Sequence, residues 1–267
     1  MRKKRALSSE AARAIRQRGH DDALEFALAI GLGKDYQNDR HAKKDVIDQS
    51  GDSHSVKSGE KKWQVFLYGR GRFKTDDAFG TMNGIGDLLI ACIDSFPTTY
   101  SEYVCDKAIP KEKLRLSMRS LAEKLQDKRR LRAFLNKSLF NGGEVNYLTV
   151  KHEGIFHVFL NTDVITALSE NIEVCNSSAR QDGQVPEQKV LFRHNGKNLG
   201  ELEMRNDSEG HYKEIRFNML KPKVMGVLFS ALHSPVKLTD KILVYGNAVR
   251  RFGRWDKGFQ IHLSKSN

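Results

Sequence analysis

The sequence predicts an α/β protein in which helices and a short run of strands occupy residues 1–140 and a strand-rich region follows over residues 141–267. Three observations carry that expectation. Apolar residues recur at helical spacing before Gly31, the period changes to two from Lys44 onward, and beyond Gly143 most apolar runs are short and strand-like. The 267-residue chain is 39% hydrophobic and 29% charged, a balance that excludes low-hydrophobicity disorder and a membrane-embedded chain and predicts a soluble, globular protein.

Residues 8–17 and 20–30 read as two helices. The second opens on Asp21 and Asp22, closes at Gly31 and sets Ala23, Leu24, Ala27 and Leu28 at helical spacing, with Glu25 inside the apolar stretch. Three alternating runs, 45–48, 53–57 and 63–68, are separated by the turns Gln49-Ser-Gly-Asp52 and Ser58-Gly-Glu-Lys61, and they predict a three-stranded antiparallel meander. Residues 82–96 read as a buried helix ended by Pro97. Residues 111–140 read as one basic amphipathic helix: Leu114, Met118, Leu121 and Leu125 share a face, and Arg115, Arg119, Lys124 and Lys128 to Arg130 fall largely outside it. Asn141-Gly-Gly143 breaks that helix. Strands follow at 144–150, 154–160, 189–194, 199–205 and 212–219, and Asn195-Gly196 supplies a tight hairpin turn between the third and fourth. Helices near 163–169 and 222–232 and a polar loop around 176–187 interrupt them.

A formal charge of +12 points to a polyanionic partner, because each neutralised phosphate releases condensed counterions. A membrane surface would call for bulky aromatics opposite the basic face, whereas the helix at 111–140 carries mostly Leu there. Cys92, Cys105 and Cys175 are odd in number and widely spaced, which excludes a disulfide framework and a zinc knuckle and suits a reducing cytoplasm. Residues 1–5 are basic, but 6–18 lack the apolar core of a signal peptide, so no export is expected. Neither a phosphate-binding Gly-x-x-x-x-Gly-Lys-Ser/Thr loop nor a Gly-x-Ser-x-Gly elbow occurs, which removes P-loop ATPases and serine hydrolases.

Hydrolysis of a phosphodiester needs a metal to polarise the phosphate and acidify a water, with a base or cation beside that water. In a hairpin centred between Ser50 and Gly51, Asp45 lies across from Ser55 or Val56, and alternation puts Lys57 on the face of Ser55. Asp45 and Lys57 therefore converge at the open end of the hairpin.

This arrangement resembles the PD-(D/E)XK nuclease superfamily, and within it the type II restriction endonucleases. There an aspartate begins one strand and an acid-X-lysine triplet sits on the next, positions held here by Asp45 and by Ser55-Val56-Lys57 within a match that spans residues 44–68. The resemblance implies a nuclease core of that type, a mixed sheet flanked by helices, with a C-terminal DNA-recognition region. It also implies that Asp45 binds Mg²⁺, that the Val56 carbonyl adds a metal contact and that Lys57 positions or activates water. Sequence-specific cleavage of double-stranded DNA, a homodimer and a cognate DNA methyltransferase follow from it as well. Lys44 stands where the family name has proline. Ser55 stands where the acid is expected, and a hydroxyl is a poor Mg²⁺ ligand beside a carboxylate. Some restriction endonucleases of the superfamily bring that acid from a helix, so Glu25 is expected to supply it, with Asp76, Asp77, Glu60 and Asp48 as the other suppliers; Asp48 and Asp52 also read as turn formers.

Two alternatives stay open: a repair or junction-resolving nuclease with the same core, and a basic DNA-binding protein without catalysis, for which Ser55 is the argument. Arg205 and Glu203 are candidate base readers, since arginine pairs with guanine and a carboxylate accepts from cytosine, with a salt-bridged ladder as the other reading of that strand. Arg119, Arg129 and Arg130 on the basic helix, and Arg250 and Arg251 in the basic segment 250–257, are candidate phosphate contacts.

Overall fold

The computed structural model describes residues 9–39, 43–179, 181–206 and 208–253. In chain order, helix α1 (Ser9–Ala29) precedes strands β1 (Val46–Ile47), β2 (Ser53–Lys57) and β3 (Lys62–Tyr68). Helices α2 (Arg70–Thr75), α3 (Asp77–Gly80), α4 (Ile85–Asp94), α5 (Tyr100–Cys105), α6 (Ala108–Gln126) and α7 (Lys128–Phe140) come next. The chain continues through β4 (Tyr147–His152), β5 (Ile155–Leu160), α8 (Asn161–Asn171), β6 (Glu173–Asn176), β7 (Lys189–His194) and β8 (Lys197–Arg205). It ends with β9 (Glu214–Leu220), α9 (Lys221–Ala231), β10 (Val236–Thr239) and β11 (Ile242–Tyr245). No helix among the described residues is long and apolar enough to cross a membrane.

The fold is α/β with a mixed sheet flanked by helices, as expected at that level. Its division is not linear. One compact unit draws on stretches within 1–60, 143–164 and 231–267, and the other on 61–142 and 165–230, so the expected boundary near residue 140 is only one of the places where the chain crosses between them.

The first unit is built on a six-stranded sheet of order β1-β2-β4-β5-β11-β10. Pairing alternates along it: β1 with β2 antiparallel, β2 with β4 parallel, β4 with β5 antiparallel, β5 with β11 parallel and β11 with β10 antiparallel. Ala23, Phe26, Ala27 and Ile30 recur at the spacing of one helical face, and they bury that face of α1 against Val46, Tyr147, Phe156, Val158, Ile242 and Val244 of the sheet. Helix α1 runs unbroken through Gly19, where two helices were expected, although glycine costs about 1 kcal/mol relative to alanine in a helix. The face differs slightly from the one expected, for Leu28 stays 47% exposed. Gly31, at φ +83°, lets the chain turn away, with its N–H bonded to the Leu28 carbonyl and that of Leu32 to the Ala27 carbonyl.

The second unit holds an antiparallel five-stranded sheet of order β3-β9-β8-β7-β6. Phe134 of α7 packs on Phe192 and Phe217, with ring centroids 5.9 and 5.3 Å apart, so the helices close one face of this sheet. Two expectations are corrected here. The meander does not form, because β1 and β4 occupy both edges of β2, and β3 instead pairs with β9. The helix expected over 111–140 is two: Asp127 adopts an extended backbone and its carboxylate accepts the N–H groups of Arg129 and Arg130, which ends α6 and caps α7. Short elements without a strong period, α2, α3, α5, β6, β10 and β11, were not anticipated. The Asn195-Gly196 turn is as read, with both residues at positive φ, the geometry that suits a right-twisted hairpin.

Phe26 is fully buried, with ring centroids 4.9 Å from His54 and 5.2 Å from Phe156. Phe26→Ala is expected to destabilise the first unit by about 3 to 5 kcal/mol in urea unfolding, the usual cost of truncating a buried aromatic; a change within ~0.5 kcal/mol would show that α1 does not hold that sheet.

Candidate active site

The β1–β2 hairpin owes its shape to one turn and one buried ring. Asp48 accepts hydrogen bonds from the Ser50 N–H, the Ser50 hydroxyl and the Asp52 N–H, which closes the turn. The other carboxylate oxygen lies 3.3 Å from Nε2 of His54, and Nδ1 of that ring lies 2.9 Å from the Thr149 hydroxyl on β4. His54 is wholly enclosed by Phe26, Tyr147 and Phe252. Burial holds its pKa below the ordinary value despite the Asp48 carboxylate, so the ring is neutral. A neutral ring with Nε2–H donating to Asp48 and Nδ1 accepting from Thr149 satisfies both contacts. For Asp48 burial favours the neutral acid, but the His54 and Ser50 hydrogen bonds outweigh it and keep the pKa low.

Register follows from that anchor. Val46 pairs with His54 and Ile47 with Ser53, and the Asp45 N–H donates to the His54 carbonyl, so Asp45 stands opposite Ser55. Its Oδ2 accepts from the Val56 N–H at 2.8 Å and from the Ser55 hydroxyl at 3.4 Å, and it lies 3.9 Å from the Lys57 ammonium. The side chains of Lys57 and Asp45 are 27% and 31% exposed, while Ser55 is fully buried. The structure therefore brings Asp45, Ser55, Val56 and Lys57 together as the sequence reading expects.

It does not bring Glu25 to them. The Glu25 carboxylate is 2.6 Å from Lys151 and 3.3 Å from Lys241, and the Lys151 hydrogen bond is the main reason its pKa is lowered. Asp22 shares the same Lys151 ammonium at 2.6 Å. Alternation explains the separation. Lys151 has the parity of Tyr147 and Thr149, on the face that α1 covers, whereas Asp45, Ser55 and Lys57 have the opposite parity from Val46, His54 and Val56 and point away from α1. Of the other acids considered, Asp48 is spent on the turn and His54, Asp76 is ion-paired with Arg72 and Lys137 in the second unit, and Asp77 and Glu60 are exposed. Among the described residues, no three or more His, Cys, Asp or Glu side chains gather as a metal site.

The donor set can still be tested against the Mg²⁺ that the resemblance implies. The described donors to Asp45 converge on Oδ2, and no hydrogen bond among the described residues ends on Oδ1. In an extended strand the N–H and C=O of one residue leave the same edge, so the Val56 carbonyl faces the Asp45 side of β2 with its N–H. Mg²⁺ keeps several waters and is held by one or two carboxylates plus substrate phosphates, so Asp45 Oδ1 and the Val56 carbonyl fit it as a sparse protein share of the shell.

The candidate DNA contacts fare unequally. Glu203 is bonded to Lys189 and Arg216, and Glu201 to Lys62 and Lys189, so this strand face is the salt-bridged ladder rather than a set of free base readers. Burial opposes ionisation of Glu201, yet the two lysines hold its pKa down to about 2. Arg205 lies opposite Glu214 in the β8–β9 register. Arg119 is clamped to Glu187 at 2.5 Å, and Arg251 donates to Asp52 at 2.8 Å, so both are held within the fold. Arg129, Arg130 and Arg250 make no side-chain hydrogen bond or ion pair among the described residues. Residues 254–257 of the basic tail lie outside the described residues. His54 was missed as a determinant of the site; its signal was the alternation that aligns it with Val46 and Val56 on the buried face.

His54 also sets a pH dependence. Its folded pKa lies below the unfolded value of 6.5, so as pH falls through 6.5 the unfolded chain gains a proton that the folded chain refuses. Stability is then full above that pH and declines below it, while the Asp48 contribution is lost only below its unfolded value of 3.8. Urea midpoints measured between about pH 8 and pH 5 should fall with acid, and His54→Gln should flatten that fall; an equal slope in both proteins would assign it to other groups. Comparison of the chain with protein-family models, curated proteins and solved structures gives no match.

Proposed function

We propose that the chain is a Mg²⁺-dependent endonuclease of the restriction type, hydrolysing phosphodiester bonds of double-stranded DNA at a specific sequence. One observation carries the reading: a carboxylate and an ammonium, 3.9 Å apart and partly exposed, at the open end of a hairpin whose register is locked from below. The charge of +12 supports a polyanionic substrate.

On this reading Asp45 Oδ1 and the Val56 carbonyl hold the metal share described above. Bound there, Mg²⁺ would polarise the phosphate and lower the pKa of an attacking water. Lys57 orients that water and offsets the charge that develops on the phosphate oxygens. The Val56 N–H and the Ser55 hydroxyl hold the Asp45 carboxylate in one orientation through Oδ2, leaving Oδ1 without a hydrogen bond among the described residues. A dimer with one such site per strand, a partner DNA methyltransferase and a cytoplasmic setting belong to the same proposal.

A second reading, a basic DNA-binding protein without catalysis, draws on the buried Ser55 and on the ion pairs that keep Glu25 from the hairpin. Incubation with duplex DNA and Mg²⁺ separates the two. Discrete fragments are expected from the wild type, and a fall of about 10²- to 10³-fold in rate from Asp45→Ala or Lys57→Ala with DNA binding kept, the scale seen when a charge-stabilising group is removed. Binding without any cleavage across duplex sequences would support the second reading, and cleavage of branched but not linear DNA would favour a repair or junction nuclease. Glu25→Gln is expected to cut within a few-fold of wild type; loss of cutting in a folded Glu25→Gln protein would restore the helix as supplier of the missing acid.

A further inference from the structure

Among the four basic residues in the first five positions of α7, the structure distinguishes two that are used from two that are not. Lys128 donates to the carbonyls of Ser169 and Ile172 at 2.7 and 2.8 Å, and Arg132, one turn on, bonds the Ser169 hydroxyl and Glu170, both at 3.0 Å. Those two face the protein. Arg129 and Arg130 lie on another side of the helix and line a concavity of about 370 Å³, where Ala133 leaves room and Asn83 forms the opposite wall. Their guanidinium groups make no hydrogen bond or ion pair among the described residues, and neither does the side-chain amide of Asn83.

The charge of this concavity is positive by construction. Lys124 donates to the Asn83 carbonyl at 2.8 Å, which places a third cation under the turn that forms the far wall. One carboxylate, Asp127, also lines it, and its Oδ1 accepts from the backbone N–H groups of both Arg129 and Arg130. The first-turn amides are therefore occupied, and an incoming anion would be held by the two guanidinium forks and the Asn83 amide rather than by the end of the helix. A guanidinium left without an acceptor at an open concavity suits a phosphate oxygen, to which it can offer two parallel N–H bonds.

We propose that this concavity is a phosphate-binding site for the backbone of duplex nucleic acid, with Arg129 and Arg130 as its ligands and Asn83 as a further donor. The proposal rests on the reading of the chain as a DNA-acting protein and adds to it a contact made in the second unit. Such a contact positions the duplex and carries no sequence information.

The test is equilibrium binding of a labelled duplex by the full chain without divalent metal, as a function of salt. Each phosphate contact contributes about 0.9 to the slope of log K against log salt, so Arg129→Ala/Arg130→Ala should be shallower than wild type by roughly 1.8. Between about 50 and 200 mM salt, the wild type should lose ~12-fold more affinity than the double variant. Arg129→Lys/Arg130→Lys should keep most of the slope, and Arg132→Ala, whose guanidinium is already bonded within the fold, should keep all of it. An unchanged slope in a folded alanine double variant overturns the site while leaving the nuclease reading intact. Failure of the wild type to bind duplex at all overturns both. Inorganic phosphate at matched ionic strength should compete no better than chloride; strong competition that the alanine variant abolishes would assign the site to free phosphate instead of the nucleic-acid backbone.

Discussion

The neutral imidazole of His54, sealed between Phe26, Tyr147 and Phe252, is the interaction on which the geometry of the β1–β2 hairpin depends. Burying a ring with two polar nitrogens is favourable only when both are bonded, since an unmet buried donor or acceptor costs roughly 1 to 3 kcal/mol. Asp48 and Thr149 meet them, and each belongs to a different piece of chain: Asp48 to the turn before β2, Thr149 to a strand 95 residues further on. The ring thus ties the hairpin to the sheet at one register. A slip of one residue would drive Ser53 and Ser55 into the aromatic pocket and turn His54 to the opposite face, because side chains alternate with period two. Opposition of Asp45 to Ser55, and the approach of Lys57 to Asp45, are consequences of satisfying that ring.

Much of this hairpin was legible in the sequence because its determinants are local. Turn residues between two alternating runs fix a pairing by arithmetic, and Asp45, Ser55 and Lys57 fall where that arithmetic puts them. The Asn195-Gly196 hairpin and strands β7 to β9 were legible for the same reason. The destination of β3 was not, since an alternating apolar run reports that a strand is half-buried without saying which edge it joins. Its partner β9 begins more than a hundred residues later, and β4 takes the edge of β2 that the meander would have used. The discontinuous units follow from the same long-range pairings and leave no local mark on composition.

Glu25 shows the same limit in electrostatic form. Inside an apolar helical stretch it reads as an acid in need of a function, but the partner that neutralises it, Lys151, is 126 residues away. Arg119 and Arg251 read as free cations for a similar reason, while Glu187 and Asp52 hold them in the folded chain. On the proposed reading, net charge names a polyanionic partner without locating its contacts. Exposed pairs of this kind contribute little to stability, so their main effect is to withdraw particular arginines from the surface available to a partner.

Ser55 bears on how a metal would bind if the hairpin is catalytic. The position is fully buried beside Asp45, and a carboxylate there would be cut off from water next to a like charge. As built, the hairpin end carries one negative and one positive side chain, and its net charge offers a divalent cation little attraction by itself. A bound phosphodiester would add the missing negative charge and oxygen ligands. On the proposed reading, metal and DNA would then enter as mutually dependent ligands, each completing the site for the other. By linkage, the DNA-free protein would bind Mg²⁺ weakly however tightly the DNA complex held it, and the coupling would be reciprocal. A second acid would loosen that dependence by holding the ion before substrate arrives; the buried serine keeps it tight.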